Sequence, residues 1–442
     1  MKHLKSKWLI IALSCLITIL GGCGTSTSDD SSTTTASSTV CRKLTTDTSD
    51  NAFIGGYTGA DLDSETLIGN NDIFLIKYSS AGVQAWSKLL GSSENDYLED
   101  MATTAADDVL SAGYTYGVLP GESNEGGVDM LLIKTAPDGT TTWEKQFGSS
   151  EDDYAYGVTT DTANNIFIAG LTYGSFPGAG TTLSGTKDLV LLKLDIDGTQ
   201  LWARQISNDE DDSYTAVNGV FGISVGTDAA GNVYASGFTT GALTDQTNSG
   251  GYDLFVVKYN SAGDQLWIKQ VGSAETDKVK DMQVTTAGDV YLTGTTDGSL
   301  DGTTNAGEED LFLIKLDTSG VVQWTRQVGT DESDNATGIT LDSSGNILLT
   351  GYTSGDLEGD VIGGSDLIIM KYDSAGNLQW TKQLGTTSSE ISRAIAADTA
   401  DNLFITGFTY GELDDESNSD GVYKSFISHY TPAAVLDWTE LF

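Results

Sequence analysis

Apolar residues along this chain fall into short runs rich in β-branched and aromatic side chains. The runs are separated by Gly, Asp, Asn and Ser, and no helical period links them. The clearest read DLFLIKLDTSGVVQW, from Asp310 to Trp324, and DLFVVKYNSAGDQLW, from Asp253 to Trp267. Each joins a continuous apolar run to a turn and then to a tryptophan-bearing segment. Further copies begin at Asp72, Asp129, Asp188 and Asp366. A seventh, degenerate copy begins at Lys424, and there His429 replaces the lysine that is Lys77, Lys134, Lys193, Lys258, Lys315 and Lys371 elsewhere. Upstream of each copy lies a segment such as NLFITGFTYG (Asn402 to Gly411), and before that a shorter one such as ISRAIAAD (Ile391 to Asp398). Each unit therefore holds four strand-sized pieces.

Seven tryptophans mark the units, at Trp86, Trp143, Trp202, Trp267, Trp324, Trp380 and Trp438, with separations of 57, 59, 65, 57, 56 and 58. Four strands repeated seven times predict an all-β fold, a seven-bladed β-propeller with four antiparallel strands, a to d, in each blade. The a–b and c–d connections are tight turns such as Asp342-Ser343-Ser344-Gly345-Asn346, whereas the d–a and b–c connections are longer. One face of the disc is thus expected to be plain and the other elaborated. Strand c should be buried on both sides. The strand-b glycines (Gly113, Gly170, Gly237, Gly294, Gly351, Gly407) suit close backbone approach where blades crowd together. Blade one aligns from about Val40 and blade seven ends at Phe442, so the ring is expected to close without exchanging a strand between the termini.

The segment DSSGNILLTGYTSG, followed by GGSDLIIMKYDSAGNLQWTKQLG, resembles the bacterial seven-bladed propeller repeat called SBBP. That resemblance covers nearly all of the chain after residue 40 and implies the fold; it implies no chemistry. The D-x-x-G-x-x-x-W pattern from Asp317 to Trp324 is also similar to the tryptophan-docked repeats of quinoprotein dehydrogenases and of an outer-membrane assembly lipoprotein.

The first residues break the pattern. Lys2, Lys5 and Lys7 precede an apolar run from Trp8 to Leu20, which reads as a secretion signal and is too short for a comfortable membrane span. It ends in Leu20-Gly21-Gly22-Cys23, which resembles the bacterial lipobox and implies lipidation of Cys23. Gly24 after that cysteine implies outer-membrane sorting in a cell with two membranes. The expected organisation is a signal peptide over 1–22, a lipidated cysteine and disordered Ser/Thr-rich tether over 23–39, and the propeller over 40–442.

Composition narrows the partners. With 63 Asp and Glu against 22 Lys and Arg, the formal charge is −41, which excludes nucleic acid as an expected partner. Of three cysteines, Cys15 leaves with the signal and Cys23 carries lipid, so Cys41 has no intramolecular partner. His429 is the one histidine outside the signal, and no Walker loop, HExxH or CxxC pair is present. The chemistry left is carboxylate. Counted from the tryptophans, the d–a loops place Glu94 and Asp96, Glu151 and Asp153, Glu210 and Asp212, Glu275 and Asp277, and Glu332 and Asp334 at one phase; the sixth loop retains only Glu390. Such pairs would ring the channel mouth on the elaborated face, where hard oxygens suit Ca²⁺, or would accept amide hydrogen bonds within their own turns. The b–c loops add Asp61, Asp63 and Glu65, then Asp356, Glu358 and Asp360, then Glu412, Asp414, Asp415 and Glu416. The reading is a lipid-anchored, non-enzymatic binding or scaffolding module of the cell envelope, at the outer membrane or cell surface, engaging a protein, a glycan or calcium. The alternatives are a carboxylate-dependent glycan hydrolase or lyase, and an outer-membrane assembly scaffold.

Overall fold

The computed structural model describes residues 39–180, 187–207, 220–359, 362–413 and 423–442, with the side chains of 220–223 left aside. Seven four-stranded antiparallel sheets follow one another, each built from consecutive strands in the order a-b-c-d. The innermost strands are Val40–Thr46, Asp96–Thr103, Asp153–Thr160, Val220–Thr227, Asp277–Val284, Asp334–Leu341 and Glu390–Ala397. Blade one runs from Val40 and blade seven ends with Leu436–Leu441, so no strand is exchanged.

Strands b and c are buried on both sides because alternate residues feed two cores. In blade one, Ile54, Phe74 and Ile76 pack towards blade seven while Phe53, Ile73 and Leu75 pack towards blade two. Closure uses the same contacts as every other junction. Cys41, Leu44 and Phe74 meet Phe404 and Ile427, the Thr399 amide and hydroxyl donate to Asp50 Oδ1, and the Ser425 hydroxyl donates to the Thr39 carbonyl.

The tryptophans act as pegs between blades. Trp86 Nε1 donates to the Pro137 carbonyl at 3.1 Å, Trp267 Nε1 to Thr318 at 3.1 Å and, across the closure, Trp438 Nε1 to Ser80 at 3.0 Å. The turn that receives the indole carries Gly82, Gly139 or Gly320 at φ of 78° to 86°, and an added Cβ would lie about 3 Å from the ring. Blade seven has Ala434 there at φ 53°, a left-handed alanine consistent with its degenerate sequence.

Polar anchors hold both ends of strand c. Asp310 accepts from Gln327 Nε2 and the Ala306 amide, while Lys315 pairs with Asp289 at 3.0 Å. His429 is buried and stacks on Trp438, with centroids 5.6 Å apart, beside Phe404. Of the lysines it replaces, Lys77, Lys193, Lys258 and Lys315 sit over an aromatic ring in the same way. Cys41 is buried, and desolvation pushes its thiol up to about 12, so it is inert.

One expectation needs correction. The strand-b glycines are not required by crowding between blades; they face the innermost strand of their own blade. A Cβ on Gly113 would lie 1.9 Å from the Tyr97 carbonyl oxygen, and one on Gly351 1.9 Å from that of Asn335. The cause is a β-bulge. In each blade strand a slips register opposite this glycine, for example between Leu98 and Asp100, leaving one extra residue.

Candidate functional site

The bulge residues form a ring. They are Arg42, Glu99, Tyr156, Ile223, Lys280, Thr337 and Arg393, one per blade. The next residues form a second ring: Lys43, Asp100, Gly157, Ser224, Asp281, Gly338 and Ala394. The residues of these rings change from blade to blade, with six types in the first ring and five in the second. A bulge re-aims the side chain it carries, so the symmetry of the fold is broken around the channel axis.

At the first ring, towards the elaborated face, Arg42 Nη2 lies 3.7 Å from Glu99 Oε1 and its guanidinium sits over Tyr57. Arg393 sits over Phe408, and among the described residues no carboxylate comes within 4.0 Å of it. The Nε of both arginines is buried without a hydrogen-bond partner among the described residues. Burial, followed by repulsion from Arg42, holds Arg393 below the ordinary arginine value. Burial raises the Glu99 carboxyl despite both guanidinium groups.

Tyrosines continue this mouth across blades one to three. Tyr57 meets Tyr97 at 4.7 Å between centroids, Tyr97 stacks on Tyr114 at 5.1 Å, and Tyr114 meets Tyr154 at 4.9 Å. Tyr116 and Tyr173 stand on the rim, 45% and 38% exposed. Burial raises the phenols of Tyr97 and Tyr154, so these groups stay protonated, as stacking planes and hydrogen-bond donors.

The second ring divides the channel. Lys43 Nζ lies 3.4 Å from Asp100 Oδ1 and 3.5 Å from Asp281 Oδ1, joining blades one, two and five. The other oxygens are also taken: the Val158 amide donates to Asp100 at 2.8 Å and the Ile339 amide to Asp281 at 3.1 Å. Burial opposes the charge on Lys43, but the two aspartates outweigh it and raise its pKa. Below this cluster, towards the plain face, lies a cavity of 290 Å³ lined by Thr45, Thr103, Thr160, Thr227 and Gln283.

The acid pairs proposed from sequence are split by the structure. Glu94, Glu151, Glu275 and Glu332 are exposed, whereas Asp96, Asp153, Asp277 and Asp334 are wholly buried at the start of strand a. Each aspartate closes its own d–a turn by accepting the amide four residues earlier, from Ser92, Ser149, Ser273 and Thr330, all at 2.6 Å. Glu390 does the same with Thr386 at 2.7 Å. Glu210 and Asp212 lie outside the described residues, as do Cys23, Asp360, Asp414, Asp415 and Glu416. The longer interval in blade four precedes strand a, so Val220, pairing with Thr239 as Asp96 pairs with Thr115, occupies the aspartate position there. The b–c loop acids are engaged locally: Asp61 accepts the Leu67 amide, Asp63 accepts from Gln84 and Ser87, and Glu65 pairs with Lys88. Among the described residues no group of three or more His, Cys, Asp or Glu is placed to hold a metal ion.

The turn aspartates give the protein an unusual pH response. Burial raises Asp96 and Asp153 to about 6, above the unfolded value of about 3.9. The folded state then binds more protons, so their contribution is full below about pH 4 and is lost as pH rises through about 6. The opposing groups are Asp47, Asp228 and Asp342, where burial is outweighed by hydrogen bonds from Asn51, Asn232, and Lys371 with Asn346; their stabilisation disappears at lower pH. Melting temperature is therefore expected to rise as pH falls from 8 to 5. Asp96→Asn with Asp153→Asn should flatten that slope, and an unchanged slope in the double variant would contradict the assignment.

The sheets and the broken ring define a seven-bladed β-propeller with one asymmetric mouth. The family model of the SBBP Beta-propeller repeat matches residues 142–177, 323–358 and 379–414. The chain is 24% identical over 390 residues to the regulatory protein FlaEY of Caulobacter vibrioides, covering 80% of this chain and 41% of that protein. It is 23% identical over 455 residues to the WD repeat-containing protein L264 of Acanthamoeba polyphaga mimivirus, covering 86% of this chain and 31% of that one. The chain thus spans less than half the length of these relatives. Among solved structures, the polysaccharide lyase Uly1 is 10% identical with a TM-score of 0.49, over 88% of this chain and 90% of that one.

Proposed function

We propose that this propeller is a non-enzymatic binding module of the cell envelope, held to a membrane by lipid on Cys23, and that it recognises its ligand at the elaborated-face mouth. The observation that carries the choice of surface is the broken ring: seven nearly equivalent blades place six residue types at one bulge, arginine alone occurring twice. Raised tyrosine pKa values favour holding a ligand over abstracting its protons. Glycan cleavage by paired carboxylates is the weaker reading, because beside Glu99 the next carboxylate, Asp100, is occupied by Lys43 and the Val158 amide. Calcium has no part in this reading, since the turn aspartates already accept bonds from their own turns.

Metabolic labelling with palmitate tests the anchor. The wild type should carry label and sediment with membranes, and Cys23→Ser should lose both properties. An unlabelled, soluble wild type would contradict it.

A further inference from the structure

Among the described residues the charges of the mouth are unbalanced: two guanidinium groups, Arg42 and Arg393, lie close enough to oppose each other, and of the described carboxylates Glu99 alone pairs with either. Glu99 is 3.7 Å from Arg42, while Arg393 rests on the Phe408 ring at 5.1 Å without a carboxylate of its own among the described residues. Each guanidinium keeps a buried Nε–H that donates to nothing among the described residues. A buried donor left unpaired costs about 1–3 kcal/mol, more when charged. Arg393, which meets no carboxylate among the described residues, therefore suits an oxyanion, and its planar fork matches a carboxylate best.

Aromatic rings surround the site. On one side runs the tyrosine arc from Tyr57 through Tyr97, Tyr114 and Tyr154 to Tyr173; on the other stand Phe408, Tyr410 and Tyr423, with Tyr410 44% exposed. An extended row of tyrosines, meeting mostly edge to face and carrying hydroxyl groups, suits a chain of hydroxylated rings with C–H faces and O–H edges. Compact anions would leave most of it bare.

Resting on the binding reading above, we propose that the ligand is a polysaccharide bearing carboxylates, a uronic-acid glycan. One carboxylate docks between Arg42 and Arg393, and neighbouring sugar rings lie along the tyrosine arc. The formal charge of −41 adds a constraint. Long-range repulsion disfavours dense polyanions and is screened within about 8 Å at physiological salt, so carboxylates separated by neutral sugars fit the mouth best.

Hyaluronan, with one glucuronate per disaccharide, is the test ligand, and its carboxyl-reduced form is the control. Calorimetric titration should show saturable binding to hyaluronan and at least about tenfold weaker binding to the reduced polymer. Arg393→Gln should weaken hyaluronan binding by a similar factor and leave the reduced polymer unaffected. Arg393→Lys, which keeps charge but loses the fork, should recover only part. Tyr97→Ala should weaken both polymers, and an unchanged melting temperature in each variant excludes misfolding. Equal binding of both polymers, or indifference to Arg393→Gln, overturns the acidic ligand while leaving the mouth as the recognition surface. Failure to bind hyaluronan also overturns it. The wider reading fails by a different result, the absence of contacts at the mouth in cells.

Discussion

Lys43→Met is expected to destabilise the protein by about 3–5 kcal/mol at pH 8, the range for removing one partner from a buried ionic cluster. Asp100 and Asp281 would then face each other across the channel with no cation between them. Both are buried, and both are fixed by backbone amides of the next blade, so neither can swing out to water without breaking a second bond. Burial already raises Asp100 while Lys43 holds it down. Removing the lysine raises it further, so the folded state of the variant binds extra protons. Its loss of stability should accordingly shrink as pH falls towards 5. Asp100→Asn with Asp281→Asn in the Lys43→Met background should recover most of the loss, because an amide oxygen can still accept the Val158 and Ile339 amides. Urea unfolding of the single, double and triple variants measures this. A loss independent of pH, or one that the asparagines leave unrepaired, would show that Lys43 does not hold the cluster together.

Gly113→Ala is the second large effect. The new methyl would sit 1.9 Å from the Tyr97 carbonyl oxygen and 3.0 Å from the Leu98 Cα, both backbone atoms that cannot rotate away. Strand a must shift, and with it the bulge that aims Glu99 at Arg42. A cost at or above the usual overpacking limit of about 3 kcal/mol is expected, with a fall in melting temperature of several degrees. Gly59→Ala is the control, since its Cβ meets at closest Asn71 Oδ1, a side-chain atom, at 3.1 Å. If Gly113→Ala melts with the wild type, the glycine is not needed for the bulge.

The tryptophan interval, the turn glycines and the apolar run of strand c made the blades legible in sequence, because each is repeated and each answers to a local rule. Loop lengths likewise separated the plain face from the elaborated one. The mouth was not legible for the opposite reason. A bulge is a property of pairing between two strands, and the residue it aims carries no recurring letter; Arg42, Glu99 and Arg393 look like variation at a tolerant position. The available signal was that very variation opposite a recurring strand-b glycine. Tyrosines at matched phase, Tyr97 with Tyr154 and Tyr57 with Tyr114, read as ordinary strand aromatics until the ring placed them side by side. The acid pairs were legible as a repeated feature, and of the two readings open for them the described aspartates accept hydrogen bonds within their own turns. For Asp96, Asp153, Asp277 and Asp334 the clue to that structural duty was the Ser or Thr four residues earlier.

Recognition at the elaborated face is tested most directly by photo-crosslinking in living cells. A benzophenone amino acid at Tyr116, on the rim of the mouth, is compared with one at Val83, 65% exposed in a c–d turn of the plain face. Discrete adducts from Tyr116 that disappear with Arg42→Gln and Arg393→Gln, and none from Val83, are the expected result. Adducts from Val83 alone, or equally from both positions, would contradict it.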